Sequence, residues 1–380
     1  MKIGIFTDTY LPEANGITTY LDFIFNKLPK KGNKLHVVAP RYSIYKKQKN
    51  EENISRLVSI RVNKAYNYRL AVYIPIKTFI KLLRTDFDII HGHSNGSISL
   101  MGLFMAKIKR VPFVYTYHTM IQDYSHYILR GLFSPSIIRK ISRVTCNLCD
   151  VIIAPSEKAK NELINQKIKK PVIVVPYGIE TKNFQIKKSD FLRKKLGIAR
   201  NAKILLYAGR LGREKSVDFL IYAFNIILKS NSRTHFVIIG KGPEYTYLKS
   251  LSERLKIDKN VYFLGAIEPK NMPIIYKSAD IFVFSSKTET QGLVVLEAMA
   301  SGLPVVAVKD SPIENVIRNK ESGVLVDNDV VQFAEEVIKL LKNKKERERL
   351  GKNARVSANL FVENSVLKLE EIYNKVLKKK

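Results

Sequence analysis

Cysteine is nearly missing from this chain: its 380 residues contain two, Cys146 and Cys149. That excludes a disulfide framework and points to a reducing compartment. Long apolar runs are missing as well. None approaches the ~20 residues that a bilayer-spanning helix needs, and the opening "MKIGIFTDTYLP" turns polar too soon for a secretory leader. The expectation is a soluble chain, or one that lies on a membrane. Low-complexity segments and short repeats are absent too. Acids are scarce beside bases, 34 against 65, for a formal net charge of +31. Such a charge does not specify a fold, but it attracts nucleic acid, anionic membranes and phosphorylated small molecules alike. Helix-turn-helix, zinc-finger and aromatic RNP patterns are lacking, so no specific nucleic acid is expected as a partner.

What is present is a globular chain, 46% hydrophobic, long enough for two domains. The runs "KIGIF", "KLHVVA", "FDIIHGH", "PFVYTY", "DVIIAP" and "PVIVVP" read as buried parallel strands. Amphipathic segments such as Ile17 to Lys31 lie between them. The pattern restarts with "AKILLYAGR", "THFVIIGKG", "NVYFLGA", "ADIFVFSS", "LPVVAVK" and "SGVLVDN". This is the alternation of βαβ units, here two α/β Rossmann-like domains. A polar, Pro- and Gly-bearing stretch at 176–190 reads as the linker. The domains are expected at 1–180 and 181–361. A C-terminal helix of about 362–380 is available to pack back on the first. In such sheets ligands bind beyond the carboxyl ends of the strands, and two facing sheets make a cleft.

The segment "SSKTETQGLVVLEAMASGLPVVA" sets Glu289 and Glu297 eight positions apart. A strand precedes it, and helical periodicity follows Gly292. The amides of Thr290, Gln291, Gly292 and Leu293 are therefore expected at a helix N-terminus, an anion site that Gly292 lets a phosphate approach. Glu289 at the rim and Glu297 a turn inside offer acceptors for vicinal hydroxyls. A nucleotide sugar has that layout; the plainer alternative is a capping acid and a solvated helix residue. Upstream, "LYAGRLGREKSVDFLI" ends a strand at Gly209 and presents Arg210 and Lys215. These are either surface charges or cations that neutralise a departing diphosphate as Mg²⁺ does elsewhere. Gly240, in "GKGPE", opens a further strand-to-helix turn near the expected nucleotide. Gly16, just before a helix in "FTDTYLPEANGITTYL", offers a backbone approach to the donor phosphates from the other domain. No GxGxxG fingerprint is present, which rejects a dehydrogenase.

These blocks, with "VPYGIE", resemble the motifs of retaining glycosyltransferase family four, and Glu289-x7-Glu297 is similar to that family's Glu-x7-Glu motif. The resemblance covers nearly the whole chain and implies a GT-B fold, two facing Rossmann-like domains with an interdomain cleft, 1–180 facing acceptor and membrane and 181–361 binding the nucleotide sugar. It implies that Glu289 contacts the donor sugar, Glu297 holds the ribose, Arg210 and Lys215 bind the diphosphate, and the backbone near Ile267 contacts the base. Where the family usually has two glycines, this chain has Asn15-Gly16. His118, just past a strand, matches a functional histidine that contacts the donor sugar or orients the acceptor. The implied catalytic set is His118, Arg210, Lys215 and Glu289. His91 and His93, at another strand end, are architectural or acceptor-side. No carboxylate or cysteine cluster completes a metal site with them, so no metal is expected. Cys146 and Cys149 lack the helix N-terminus of a redox pair and the second pair of a zinc site, and read as packing residues.

Two basic segments carry apolar stripes. In "YIPIKTFIKLLRTD", Ile76, Phe79 and Ile80 share a face beside Lys77, Lys81 and Arg84. In "YILRGLFSPSIIRKISRV", Leu129, Leu132, Phe133 and Ile137 lie beside Arg130, Arg139 and Lys140. Such helices either cover a sheet or lie in an anionic membrane interface. With "YTYHTMIQDYSHYI" and "KTETQGLVVLE", the chain resembles most closely the family's bacterial diacylglycerol glucosyltransferases. That implies a peripheral enzyme on the cytoplasmic face of the membrane, moving a hexose from a UDP-sugar to diacylglycerol, with UDP-glucose the expected donor. No tightly bound cofactor is expected; anionic lipid is the candidate activator. The alternatives are another acceptor (phosphatidylinositol, a glycolipid or a soluble sugar) and, outside enzymes, a basic nucleic-acid-binding protein.

Overall fold

The computed structural model describes residues 1–13, 15–42, 52–63, 68–73, 75–93, 96–118 and 135–378. It divides into two compact units, Met1–Gly178 with Glu363–Lys380, and Ile179–Val362.

Among the described residues the first unit holds eight strands: β1 (Lys2–Thr7), β2 (Lys34–Pro40), β3 (Ile54–Asn63), β4 (Tyr68–Tyr73), β5 (Ile89–His93), β6 (Phe113–Thr116), β7 (Val151–Ala154) and β8 (Val172–Val174). Their order is β4-β3-β2-β1-β5-β6-β7-β8. All pairs are parallel except β3 with β4. Among the described residues its helices are α1 (Gly16–Lys27), α2 (Ile76–Arg84), α3 (Ser97–Lys109), α4 (Pro135–Leu148) and α5 (Glu157–Asn165). The central strands are covered on both faces, and β5, β6 and β7 are buried throughout, the histidines of β5 included. The helix expected over Ile17 to Lys31 stops at Lys27, and a 3₁₀ turn at Pro29–Lys31 follows. Proline supplies no amide to continue the ladder. At the start of α3, Asp8 accepts from the amides of Ile98 and Ser99 at 2.8 and 3.3 Å. A Cβ on Gly96 would fall 2.2 Å from the Asp8 carboxyl carbon.

The second unit holds β9 (Lys203–Ala208), β10 (Thr234–Ile239), β11 (Val261–Gly265), β12 (Ile281–Phe284), β13 (Val305–Val308) and β14 (Val324–Val326). Their order is β11-β10-β9-β12-β13-β14, all parallel. The order in which strands are added reverses between β9 and β12, which places the crevice for a ligand at their carboxyl ends. Seven helices accompany these strands: α6 (Phe191–Leu196), α7 (Val217–Ser230), α8 (Tyr245–Arg254), α9 (Met272–Ser278), α10 (Leu293–Ala300), α11 (Ser311–Glu314) and α12 (Val330–Lys342). A buried ion pair ties the base of the unit: Arg193 meets Asp280 at 2.6 Å and also donates to the carbonyls of Ser278 and Ala202. Asp280 in turn accepts from the amide of Ile204.

The last helix, α13, runs from Lys344 to Lys378 without a break, longer than the expected 362–380. Its stretch holds one glycine, Gly351, and no proline, so nothing interrupts the ladder.

Candidate active site

In the second unit the loops after β9, β10 and β11 are stitched by their backbones. Gly209 donates to the Ile239 carbonyl, Leu211 to Lys241 and Gly240 to Gly265, at 3.0, 3.0 and 2.8 Å. This approach is close enough to require glycine. A Cβ on Gly240 would lie 1.8 Å from the Gly209 oxygen, and one on Gly242 would lie 2.1 Å from that of Leu211. Contact with a neighbouring strand end thus accounts for Gly240, whose nucleotide contact stays a proposal. Ile267 follows β11 in a half-buried loop position.

The β9 loop carries Arg210 and a 3₁₀ turn, Arg213–Lys215. Hydroxyls after β12 hold this turn in place. Ser285 Oγ donates to the carbonyls of Lys215 and Ser216 at 2.9 and 2.8 Å, and Thr288 Oγ1 to that of Glu214 at 3.2 Å. Lys215 Nζ meets Glu289 Oε1 at 2.6 Å, both side chains mostly buried, and Arg210 lies 3.8 Å from Glu214. Each cation is therefore held beside an acid at the β9/β12 crevice. Gly292 is left-handed, with φ 78°, and leads into α10. Any other residue there is strained, and a Cβ would also meet Ile313 at 2.6 Å. Thr290, Gln291, Gly292 and Leu293 thus precede and open this helix, as the periodicity implied.

Glu297 stands one turn inside α10. Its Oε2 accepts a 2.8 Å hydrogen bond from the hydroxyl of Tyr276 on α9. Burial pushes the Glu297 carboxyl up to about 7, and the Tyr276 hydrogen bond works against that rise. Tyr276 escaped the sequence reading. In "NMPIIYKSAD" it reads as an ordinary core aromatic, and no spacing connects it to Glu297.

The first unit holds a column of neutral histidines. His91 is bonded to Tyr373 through Nδ1 and to Thr116 through Nε2, each at 2.7 Å. Its ring stacks on His93, centroids 4.0 Å apart. His93 Nδ1 and His118 Nε2 share a 2.9 Å hydrogen bond. Burial lowers all three, His91 and His118 to about 3. Among the described residues, His93 Nε2, His118 Nδ1 and the nearby Tyr20 hydroxyl have no hydrogen-bond partner. Gly16 is the first residue of α1, and Asn15 caps that helix by accepting from the Thr18 amide at 3.0 Å. Asparagine in place of a family glycine therefore has a local reason. Cys146 and Cys149 are buried free thiols, pushed up to about 12 and higher still, respectively, chiefly by burial. This suits packing residues.

Residues 14–183 match the family model described as Glycosyltransferase Family 4, and residues 188–357 that described as Glycosyl transferases group 1. An α-monoglucosyldiacylglycerol synthase of Streptococcus pneumoniae is 34% identical over 332 residues, covering 86% of this chain and 75% of the relative. One from Acholeplasma laidlawii is 30% identical over an alignment of 404 residues, covering both chains in full. The chain belongs to glycosyltransferase family four. Its GT-B fold is shared with solved structures. HepE of Anabaena in complex with UDP superposes with a TM-score of 0.75 at 21% identity over 99% of each chain. Sucrose-phosphate synthase of Thermosynechococcus elongatus gives 0.75 at 18% over all of both.

On this glycosyltransferase the basic helices divide their residues. In α2, Ile76 and Ile80 are exposed with Lys77, Lys81 and Arg84, while Phe79 packs against the core. The apolar face expected as one stripe is thus shared between core and solvent. In α4, Ile137, Ile141, Val144 and Leu148 form an exposed stripe beside exposed Arg139, Lys140 and Arg143. Leu129, Arg130, Leu132 and Phe133 lie outside the described residues. A further stripe, Leu100, Phe104 and Ile108 on α3, is exposed and was not foreseen. Among the described residues no helix is long and apolar enough to cross a membrane.

Proposed function

We propose that this glycosyltransferase moves glucose, with retention, from UDP-glucose to the hydroxyl of 1,2-diacylglycerol at an anionic membrane surface on the cytoplasmic face. The observation that carries the reading is the similarity, over 86% and 100% of the chain, to two α-monoglucosyldiacylglycerol synthases. HepE, similar in fold, was solved with UDP and with UDP-glucose, which supports a uridine donor. The diphosphate is assigned to Arg210, Lys215 and the amides of Thr290 to Leu293. As the anomeric bond breaks, negative charge grows on the leaving phosphate. Donors fixed in advance stabilise that charge without reorganising. The sugar hydroxyls are assigned to Glu289 and His118, the ribose to Glu297, the base to the backbone at Ile267, and further phosphate contacts to Gly16 and Gly240. The exposed stripe of α4, with three cations beside it, supports a surface that lies on anionic lipid.

The test is incubation with UDP-glucose, UDP-galactose or a GDP-sugar and diacylglycerol in mixed micelles with and without anionic lipid, reading product mass. Monohexosyldiacylglycerol from UDP-glucose is expected, and more of it with anionic lipid. Transfer only to phosphatidylinositol, a glycolipid or a soluble sugar overturns the acceptor. Transfer only from another nucleotide sugar overturns the donor.

A further inference from the structure

Glu297 has one oxygen engaged and one open. Oε2 accepts from Tyr276, whereas Oε1 has no hydrogen-bond partner among the described residues, and the residue keeps part of its surface. Tyr276 itself cannot swing away. Its fully buried ring packs edge-on against Phe184 at 6.0 Å and tilted against Phe282 at 5.7 Å. Its hydroxyl also lies 3.4 Å from the Val294 carbonyl. A glutamate on a helix has several staggered side-chain states, and a charged hydrogen bond to an immobile phenol selects one of them.

We propose that Tyr276 is a positioning residue of the donor site: it fixes the Glu297 carboxylate so that the open oxygen accepts from the ribose hydroxyls of a uridine nucleotide. This deepens the proposed function and rests on the donor reading given there. The elements packed on α10 bring few other charges to the acid. The 3₁₀ turn Thr181–Phe184 contributes Lys182, α9 contributes Lys277, and β12 and β13 contribute none. Burial and Tyr276 are the influences that act on Glu297. They oppose one another, since burial favours the neutral acid and the phenol's hydrogen bond favours the carboxylate. Tyr276 therefore keeps the ionised, doubly accepting form available near neutral pH.

The test uses Tyr276→Phe, which keeps the ring and removes the hydroxyl, and Glu297→Gln as its companion. UDP affinity by calorimetry, and KM and kcat for the sugar donor, are followed from pH 6 to 9. Tyr276→Phe is expected to weaken UDP binding and raise KM about tenfold at pH 7, with kcat much less affected. The deficit shrinks toward pH 9, because the pH midpoint of binding moves upward. A merely structural role would lower affinity equally at every pH. If Glu297→Gln weakens UDP binding but Tyr276→Phe leaves affinity and midpoint unchanged, the positioning role is overturned and the donor site stands. If neither variant changes UDP binding, or the wild-type chain does not bind UDP, the donor reading and this inference both fail.

Discussion

Replacing Lys215 by methionine separates the two things its ammonium does. In the structure it meets Glu289 at 2.6 Å, with side chains 12% and 16% exposed. Removing one partner of a fully buried pair costs about 3–5 kcal/mol, because the other charge is left without compensation. The residual exposure here brings the figure to about 2–3 kcal/mol. For a unit of this size each kcal/mol shifts Tm by about 2–4 °C, so Lys215→Met should melt several degrees lower. Its effect on turnover has a different origin. Loss of one preorganised group facing developing charge costs about 3–4 kcal/mol of transition-state stabilisation, or 10²–10³ in kcat. The double variant Lys215→Met/Glu289→Gln separates the two effects. It no longer strands a charge, so Tm should recover, while turnover should stay at or below that of the single variant. Calorimetric melting and initial rates with saturating UDP-glucose read both. Recovery of turnover together with Tm would show that the lysine merely neutralises its glutamate, and the assigned role at the diphosphate would fall.

Gly240→Ala should destabilise the second unit far more than Gly197→Ala, since a methyl at 240 strikes the Gly209 oxygen at 1.8 Å and one at 197 meets open space. Equal melting temperatures for the two would contradict the stitched loops. The buried histidines should make the fold acid-sensitive. Their folded values lie well below the ordinary 6.5, about 3 for His91 and His118. The unfolded chain therefore takes up protons first, and stability present above pH 6.5 is lost as pH falls toward 3. Glu297, raised to about 7, acts in the opposite sense between 7 and 4.5, but one group does not offset three. Each histidine contributes about 1.4 kcal/mol per pH unit within its window, so a Tm unchanged between pH 7 and 5 would refute their burial. Reversing Arg139, Lys140 and Arg143 to glutamate should abolish co-sedimentation with anionic vesicles, each cation near such a surface being worth about 1 kcal/mol. Retained binding would remove α4 from the membrane face.

Legibility in the sequence followed how local the cause was. Strands buried on both faces, such as Val151–Ala154 and Ile281–Phe284, are continuous apolar runs and could be read directly. The pair β3 and β4 went unread. Its antiparallel edge mixes Arg56, Ser59, Arg61 and Arg69 with its apolar residues, and a strand with a solvated face lacks an unbroken apolar signature. The acids, cations and helix start of the proposed donor site could be read because β9 and β12 deliver them at the ends of short motifs. How they pair could not. Lys215 and Glu289 are 74 residues apart, His93 and His118 are 25 apart, and only the folded sheet brings each pair together. Glycines were legible as turn residues but not as contacts. Gly240 must lack a side chain because the Gly209 carbonyl approaches it so closely, a relation invisible in either motif alone.

The bond joining His93 to His118 carries a directional choice. With both rings uncharged, a single proton lies between them, and it belongs to one or the other. When His93 supplies it, the outer nitrogen of His118 bears hydrogen and donates; when His118 supplies it, that nitrogen bears a lone pair and accepts. Exchanging the two arrangements shifts protons and no heavier atom. Whatever meets that nitrogen can therefore be greeted with either polarity, a match for an alcohol, which both gives and takes hydrogen bonds, and of no added use to a phosphate oxygen, which only takes.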